Sequence, residues 1–228
     1  MAEAKRPALV EAVGVAKSYG EGQGAVHALK PATCIIHAED QIAIVGRSGS
    51  GKSTLLHLFA GLDDPTSGAL TWPMLGAKDD LRPGKVSVVF QSPSLVPWLD
   101  VIENVALPLA LASSKEDGMP AAMRALERFG LQDLAGKLPE ELSGGQAQRV
   151  ALARAIVTGP KLILADEPTG QLDHVTGTAI VEALSEWSKA NGCAVVIATH
   201  DANVAARMNA VWRMDHGSLT LETESLLA

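Results

Sequence analysis

The sequence predicts an α/β fold with a mainly parallel sheet, an antiparallel β subdomain near its start and a helical subdomain inserted in its middle. Three observations predict it. Four short runs, Gln41–Val45, Val86–Phe90, Leu162–Ala165 and Val195–Thr199, are nearly continuous in aliphatic residues, the pattern of strands buried on both faces. Helical periodicity follows at least two of them. A long, proline-punctuated stretch without strand pattern separates the second run from the third.

The first forty residues read as two short strands, Leu9–Val15 and Ala32–His37, around the Gly-rich turn Gly20-Glu21-Gly22-Gln23-Gly24, an antiparallel flap beside the main sheet. After the first apolar run, a helix is expected over Lys52–Leu62, broken by Gly61 and then Asp63-Asp64-Pro65. The stretch from Ser92 to Glu141 is read as helical, with Pro93, Pro97, Pro108, Pro120 and Pro139 as punctuation. Pro120 suits the first turn of a helix whose face carries Met123, Leu126 and Phe129. A further helix is expected over Ala147–Val157, stopped by Gly159-Pro160. The last runs over Thr176–Asn191, with Ile180, Leu184 and Trp187 on one face and Gly192 as its stop. The division that follows is a single domain, 1–228. About 1–91 and 158–228 form the core with its β subdomain, and about 92–157 form the helical subdomain.

At 228 residues, 47% of them apolar, the chain can bury a sizeable core. Its net charge of −7, from 26 acidic against 19 basic residues, argues against a nucleic-acid partner. No stretch approaches a membrane span; the best, Val101 to Ala112, is interrupted by Glu103, Asn104 and Pro108. The start lacks the apolar core of a signal peptide, so a cytoplasmic location is expected. Cys34 and Cys193 have no metal-binding spacing and read as small core residues.

Gly46-Arg47-Ser48-Gly49-Ser50-Gly51-Lys52-Ser53-Thr54 matches G-x-x-x-x-G-K-[ST], directly after one strand and opening a helix, the context this phosphate-binding loop requires. Its glycines let backbone N–H groups curl around phosphate oxygens, and the helix N-terminus adds a favourable dipole. Lys52 is placed for the β- and γ-phosphates, and the Ser53 hydroxyl for Mg²⁺. Leu162–Ala165 delivers Asp166 and Glu167 to a strand end, where Asp166 suits Mg²⁺ and Glu167 suits the general base for an attacking water. Gln91 and His200 follow two further strand ends. Open parallel sheets bind ligands at that edge. The pattern therefore points to a P-loop site for nucleotide phosphates and Mg²⁺.

Leu142-Ser143-Gly144-Gly145-Gln146 then opens a helix about twenty residues before the Asp-Glu pair. With Gln148-Arg149-Val150-Ala151-Leu152-Ala153-Arg154-Ala155 behind it, this resembles the signature motif of the ABC transporter ATP-binding subunits, and the resemblance spans nearly the whole chain. It implies that the core is that of a RecA-like P-loop NTPase and that its nucleotide is ATP. It implies further that Tyr19 stacks on adenine, that Gln91 is the Q-loop glutamine sensing Mg²⁺ and a membrane partner, that Leu172-Asp173 form the D-loop, and that His200 contacts the γ-phosphate. It also implies a second ABC ATPase subunit, in a likeness to homodimers, whose Ser143, Gly144, Gly145 and Gln146 close over the ATP held by the first. A second helix N-terminus rich in free N–H groups, separated from the first cradle by the helical insertion, agrees with that arrangement.

Three flanking words, Gly61-Leu62-Asp63-Asp64-Pro65-Thr66-Ser67-Gly68, Glu103-Asn104-Val105-Ala106-Leu107-Pro108-Leu109 and Ala165-Asp166-Glu167-Pro168-Thr169-Gly170, resemble the macrolide-exporter and lipoprotein-release group. That likeness implies an integral permease, attachment to the inner face of the cell membrane, and export or mechanical extraction of an amphiphile. Leu95-Val96-Pro97-Trp98-Leu99 is instead similar to nitrate and taurine importer ATPases, so an importer ATPase stays open, as does a non-transport role. Trp98, Leu99, Val101 and Ile102 are candidates for the wall of the permease's docking groove, with burial in the helical subdomain's own core as the open alternative.

Overall fold

The computed structural model describes residues 6–112, 118–170 and 172–222. The chain runs through β1 (Ala8–Tyr19), β2 (Val26–His37), β3 (Gln41–Val45), α1 (Lys52–Phe59), β4 (Ser67–Thr71) and β5 (Val86–Val89). Three helices follow, α2 (Val101–Leu111), α3 (Met119–Arg128) and α4 (Gly144–Ile156). It ends with β6 (Leu162–Asp166), α5 (His174–Asn191), β7 (Ala194–Thr199), α6 (Ala202–Ala205), β8 (Ala210–Asp215) and β9 (Ser218–Glu222).

The larger sheet has the strand order β5-β6-β7-β3-β8-β9, parallel throughout except for the β8–β9 hairpin. Its inner strands read as continuous apolar runs because both faces are covered. Ile42, Ile44, Leu162, Leu164, Val196 and Ala198 pack towards α1 and the smaller sheet. The alternate residues Ala43, Ile163, Ala165, Val195 and Ile197 pack towards the helices on the other face. Burial of each Ile, Leu or Val side chain contributes about 1.5–3 kcal/mol, so pleat alternation is paid in apolar residues on both sides. Gln41, 1% exposed, is a buried polar exception at the start of β3, as Asp166 and Thr199 are at the ends of β6 and β7. The Gln41 amide donates to Ser188 Oγ at 2.8 Å, and Ser185 Oγ donates to its Oε1 at 2.8 Å, fastening β3 to α5.

The smaller sheet, in the order β2-β1-β4, is antiparallel. Its first two strands are longer than their apolar cores suggest, because register shifts around Ala12–Val15 break the alternation, and Lys17 and Ser18 continue the pairing with polar side chains. β4, β8 and β9 lie outside the expected runs. β4 is largely exposed and small in its residues, and the last two form an edge hairpin of mixed polarity.

The stretch from Ser92 to Glu141 is less helical than expected. It holds α2 and α3, followed by single 3-10 turns at Gln132–Leu134 and Pro139–Glu141. α2 runs through Pro108, and Ala112 N still bonds Pro108 O at 3.0 Å. Asp100 and Glu103 close a capping box at its start. Asn104, wholly buried, holds the preceding loop: its amide donates to Val96 O, Leu99 O and Asp100 O, and its Oδ1 accepts from Val96 N. α3 carries Pro120 in its first turn, as expected. α1 stops at Phe59 instead of Leu62, because Gly61 turns left-handed at φ 63°. Val101 is wholly buried beneath α3 and α4 and walls no groove, while Ile102 is partly buried against the same core.

Candidate active site

Strand order decides the geometry of the site. With β5, β6, β7 and β3 side by side, their carboxyl ends present Gln91, Asp166-Glu167, His200 and the loop from Gly46 in that sequence along one edge. A cleft of about 710 Å³ opens there, lined by Arg47, Ser48, Gly49, Gly51, Lys52, Ser53, Thr54, Gln91, Asp166, Glu167 and His200.

The loop is built for close backbone approach. A Cβ on Gly46 would lie 2.2 Å from Met214 O, and one on Gly51, at φ 107°, would lie 2.3 Å from Ala28 O. The helix behind it, α1, has no side-chain cap, whereas α2, α4, α5 and α6 are capped by Asp100, Ser143, Asp173 and Asp201. Its first amides are therefore left as donors facing the cleft, the arrangement that suits a phosphate. Ser50 Oγ is buried without a partner. Lys52, 6% exposed, donates to Gly46 O at 2.8 Å and Arg47 O at 3.2 Å. That leaves part of its donor capacity for an anion.

Glu167 sits just past β6 in the left-handed region, φ 47°, its N–H bonded to Ala198 O at 2.9 Å. This backbone conformation is costly for a glutamate and is characteristic of side chains aimed for chemistry. Its carboxylate lies between two cations or potential cations. Oε2 is 2.9 Å from His200 Nδ1, and Oε1 is 3.7 Å from Lys52 Nζ. No group of three or more His, Cys, Asp or Glu residues among the described ones makes a metal site. The oxygen donors at the cleft, Ser53, Asp166 and Gln91, suit a hard cation that takes its remaining ligands from phosphates and water.

A family model described as ABC transporter matches residues 29–170. The lipoprotein-releasing system ATP-binding protein LolD of Legionella pneumophila strain Paris is 44% identical over 211 residues, covering 89% of this chain and 93% of the relative.

The chain belongs to the ABC transporter family.

Solved structures agree. The cassette matches MJ0796 in its dimeric post-hydrolysis state bound to ADP and Pi, with TM-score 0.87 and 36% identity over 94% of this chain and 98% of that one. It matches cbiO1 from Clostridium perfringens, part of the ABC transporter complex cbiONQ, with TM-score 0.80 and 30% identity over 95% of this chain and 88% of that one. The cassette is an ATP-binding, ATP-hydrolysing subunit of an ABC transporter.

Other expected site residues lie apart from the cassette's cleft. Ser143, Gly144, Gly145 and Gln146 form the start of α4 and do not line it. Ser143 is spent as a cap: its Oγ accepts from Gln146 N at 3.2 Å, while Gln146 Oε1 accepts from Ser143 N at 2.8 Å. The amides of Gly144 and Gly145 are left as helix-end donors. Asp173 also lies away from the cleft lining and caps α5, its carboxylate accepting from Val175 N and Thr176 N. Those bonds, with the Thr176 side chain foremost, hold its pKa below the ordinary aspartate value. Tyr19 ends β1 beside Val26, a cleft-wall residue, and is 43% exposed.

The cleft wall also contains residues that motif reading passes over: Val26, His27 and Ala28 from β2, and His216 and Gly217 from the β8–β9 turn. That turn is pinned in place, Gly217 N to Ser50 O at 3.0 Å and Lys30 N to Gly217 O at 2.8 Å. His27 Nδ1 lies 2.8 Å from Ser18 Oγ. Asp215-His216-Gly217 between alternating residues is a readable hairpin signal, but nothing in it announces a ligand wall.

Proposed function

We propose that the cassette pairs with a second copy around two ATPs and drives a membrane permease that extracts lipoproteins or similar amphiphiles. The observation that carries the pairing is the separation of two anion-type donor sets. One is the cradle from Gly46 to Thr54, and the other is the start of α4, whose glycine amides do not reach the cleft. Such a donor set is completed by a nucleotide on a partner. The lipoprotein assignment is supported by the likeness to LolD, the lipoprotein-releasing system ATP-binding protein of Legionella pneumophila.

In this reading Lys52 and the α1 amides bind the β- and γ-phosphates, and Ser53, Asp166 and Gln91 hold Mg²⁺. The cation neutralises phosphate charge. Glu167 accepts the proton of the attacking water, and His200, bonded to its carboxylate, keeps that oxygen aimed while its ring also meets the γ-phosphate. Tyr19 stacks on the adenine. Asp173 orders the start of α5 near the partner.

An apolar groove of about 320 Å³, lined by Leu62, Val86, Val88, Phe90, Leu107, Pro108 and Leu111 with Arg82 and Arg154 beside them, suits a short permease helix. Phe90 precedes Gln91 directly, which couples the groove to the cleft. Trp98, 78% exposed, is a second candidate contact for the permease. No described helix is long and apolar enough to cross a membrane, which suits a peripheral subunit carried on the inner membrane face by its permease.

The test is reconstitution in vesicles with a permease that co-purifies with the cassette. ATP-driven release of a lipoprotein to a soluble acceptor is the expected result. ATP-driven uptake of a solute delivered by a binding protein would establish the importer reading instead.

A further inference from the structure

Asp63 lies in the turn after α1, and its two carboxylate oxygens take separate donors from the end of β1. Oδ1 accepts from Lys17 Nζ at 2.5 Å, and Oδ2 accepts from the Tyr19 hydroxyl at 2.9 Å. Lys17 also donates to Asp64 O at 2.8 Å, and its side chain is only 13% exposed. The same ammonium lies over the Tyr19 ring, 5.0 Å from its centroid. Three side chains thus close a triangle, with each contact fixing the other two.

The triangle leaves Tyr19 with little freedom. Its hydroxyl is tied, one ring face is taken by the ammonium, and its backbone is paired to Val26 of the cleft wall. Thr54, the last residue of the phosphate loop, also approaches the hydroxyl. An aromatic ring held rigidly beside a phosphate cradle, and still 43% exposed, is preorganised to receive a flat base. The Lys17–Asp63 pair is half-sheltered, with the lysine 13% and the carboxylate 30% exposed, so it holds its geometry better than a fully exposed pair.

We propose that Asp63 is a positioning residue for nucleotide recognition: by holding Lys17 and the Tyr19 hydroxyl together, it presets the tyrosine ring on which adenine stacks. This rests on Tyr19 being the base-stacking residue. Asp63 itself touches no nucleotide. Its effect is on the base and not on the phosphates, because the cradle's own bonds, Lys52 to Gly46 O and Arg47 O, do not involve it.

The test uses the full chain with two probes that differ by the nucleoside alone, ADP and pyrophosphate. ADP is titrated calorimetrically and pyrophosphate by displacement of ADP. Asp63→Ala is expected to weaken ADP about three- to tenfold, the loss of one or two hydrogen-bonded supports, and to leave pyrophosphate unchanged. Asp63→Asn, which keeps an oxygen acceptor for the hydroxyl, should lose less. Adding Asp63→Ala to Tyr19→Phe should cost less than the two separate losses combined, since both break the same contact. Equal weakening of ADP and pyrophosphate by Asp63→Ala would overturn the proposal. So would unchanged ADP affinity in Asp63→Ala while Tyr19→Ala weakens ADP, which leaves Tyr19 stacking but unaided. Unchanged ADP affinity in Tyr19→Ala would instead remove the stacking role itself, and the proposal with it.

Discussion

His200 Nδ1 lies 2.9 Å from Glu167 Oε2, hydrogen-bond distance between a ring N–H and a carboxylate. The two residues come from the ends of neighbouring strands, β7 and β6, and the second carboxylate oxygen faces Lys52 at 3.7 Å. The carboxylate is thereby aimed from both sides. Glu167→Gln keeps the shape and removes the base, so turnover should fall about 10²- to 10⁴-fold. Phosphate release measured beside nucleotide affinity checks this, with affinity retained. Turnover at the wild-type rate would refute the role.

Lys52 is nearly buried and spends its bonds on the loop's own carbonyls, so one side chain both shapes the cradle and supplies its charge. Lys52→Ala should weaken ATP about tenfold or more, the scale of a lost hydrogen bond to a charged group. Displacement of a fluorescent nucleotide measures it. An unchanged dissociation constant would place the phosphates elsewhere.

Asp173 has a pKa held below the ordinary value, chiefly by hydrogen bonds from Thr176. A carboxylate with a depressed folded pKa contributes stability above its unfolded pKa of about 3.9 and loses it as pH falls through the depressed value. Asp173→Ala should therefore lower the urea midpoint at pH 7, and the difference from wild type should shrink on acidification below about pH 4. A difference independent of pH would show that the cap acts without its charge.

Burial pushes the thiols of Cys34 and Cys193 up to about 12. Both are free and enclosed in the core. A thiol-reactive reagent at pH 8 should modify neither in the folded cassette and both in urea. Mass spectrometry of the labelled chain reads the result, and rapid native labelling would mean that the β2 or α5–β7 region opens.

Trp98 projects into solvent from a loop held by the buried Asn104. Trp98→Ala should change the unfolding free energy of the isolated cassette by less than about 0.5 kcal/mol, as surface substitutions do. It should weaken capture by the permease in detergent. Unimpaired capture would confine docking to the groove beside Phe90.

The sequence by itself determined the parallel sheet and the phosphate cradle, for a local reason. Strands covered on both faces are nearly continuous in apolar residues, and the cradle is one contiguous Gly-rich run that opens a helix, so both patterns lie within a few residues of chain. The caps Asp100, Ser143 and Asp173 are local too, each satisfying amides within three residues of itself, yet the expected starts at Ala147 and Thr176 fell three and two residues late. Only the tertiary structure decided what is remote in the chain. β4 and β9 are edge strands with one side unpaired, and β8, paired on both sides, alternates buried and exposed residues towards its end, so none of the three carries a continuous apolar pattern. Val101, open in sequence between a groove wall and the subdomain core, is buried because α3 and α4 close over it. His27 and His216 reach the cleft wall because β2 and the last hairpin fold back on the phosphate loop. Asp63 meets Lys17 and Tyr19 across more than forty residues of chain. A local pattern can encode a strand, a cap or a tight turn. It cannot encode which distant side chains share a hydrogen bond, because that depends on how separately determined elements pack.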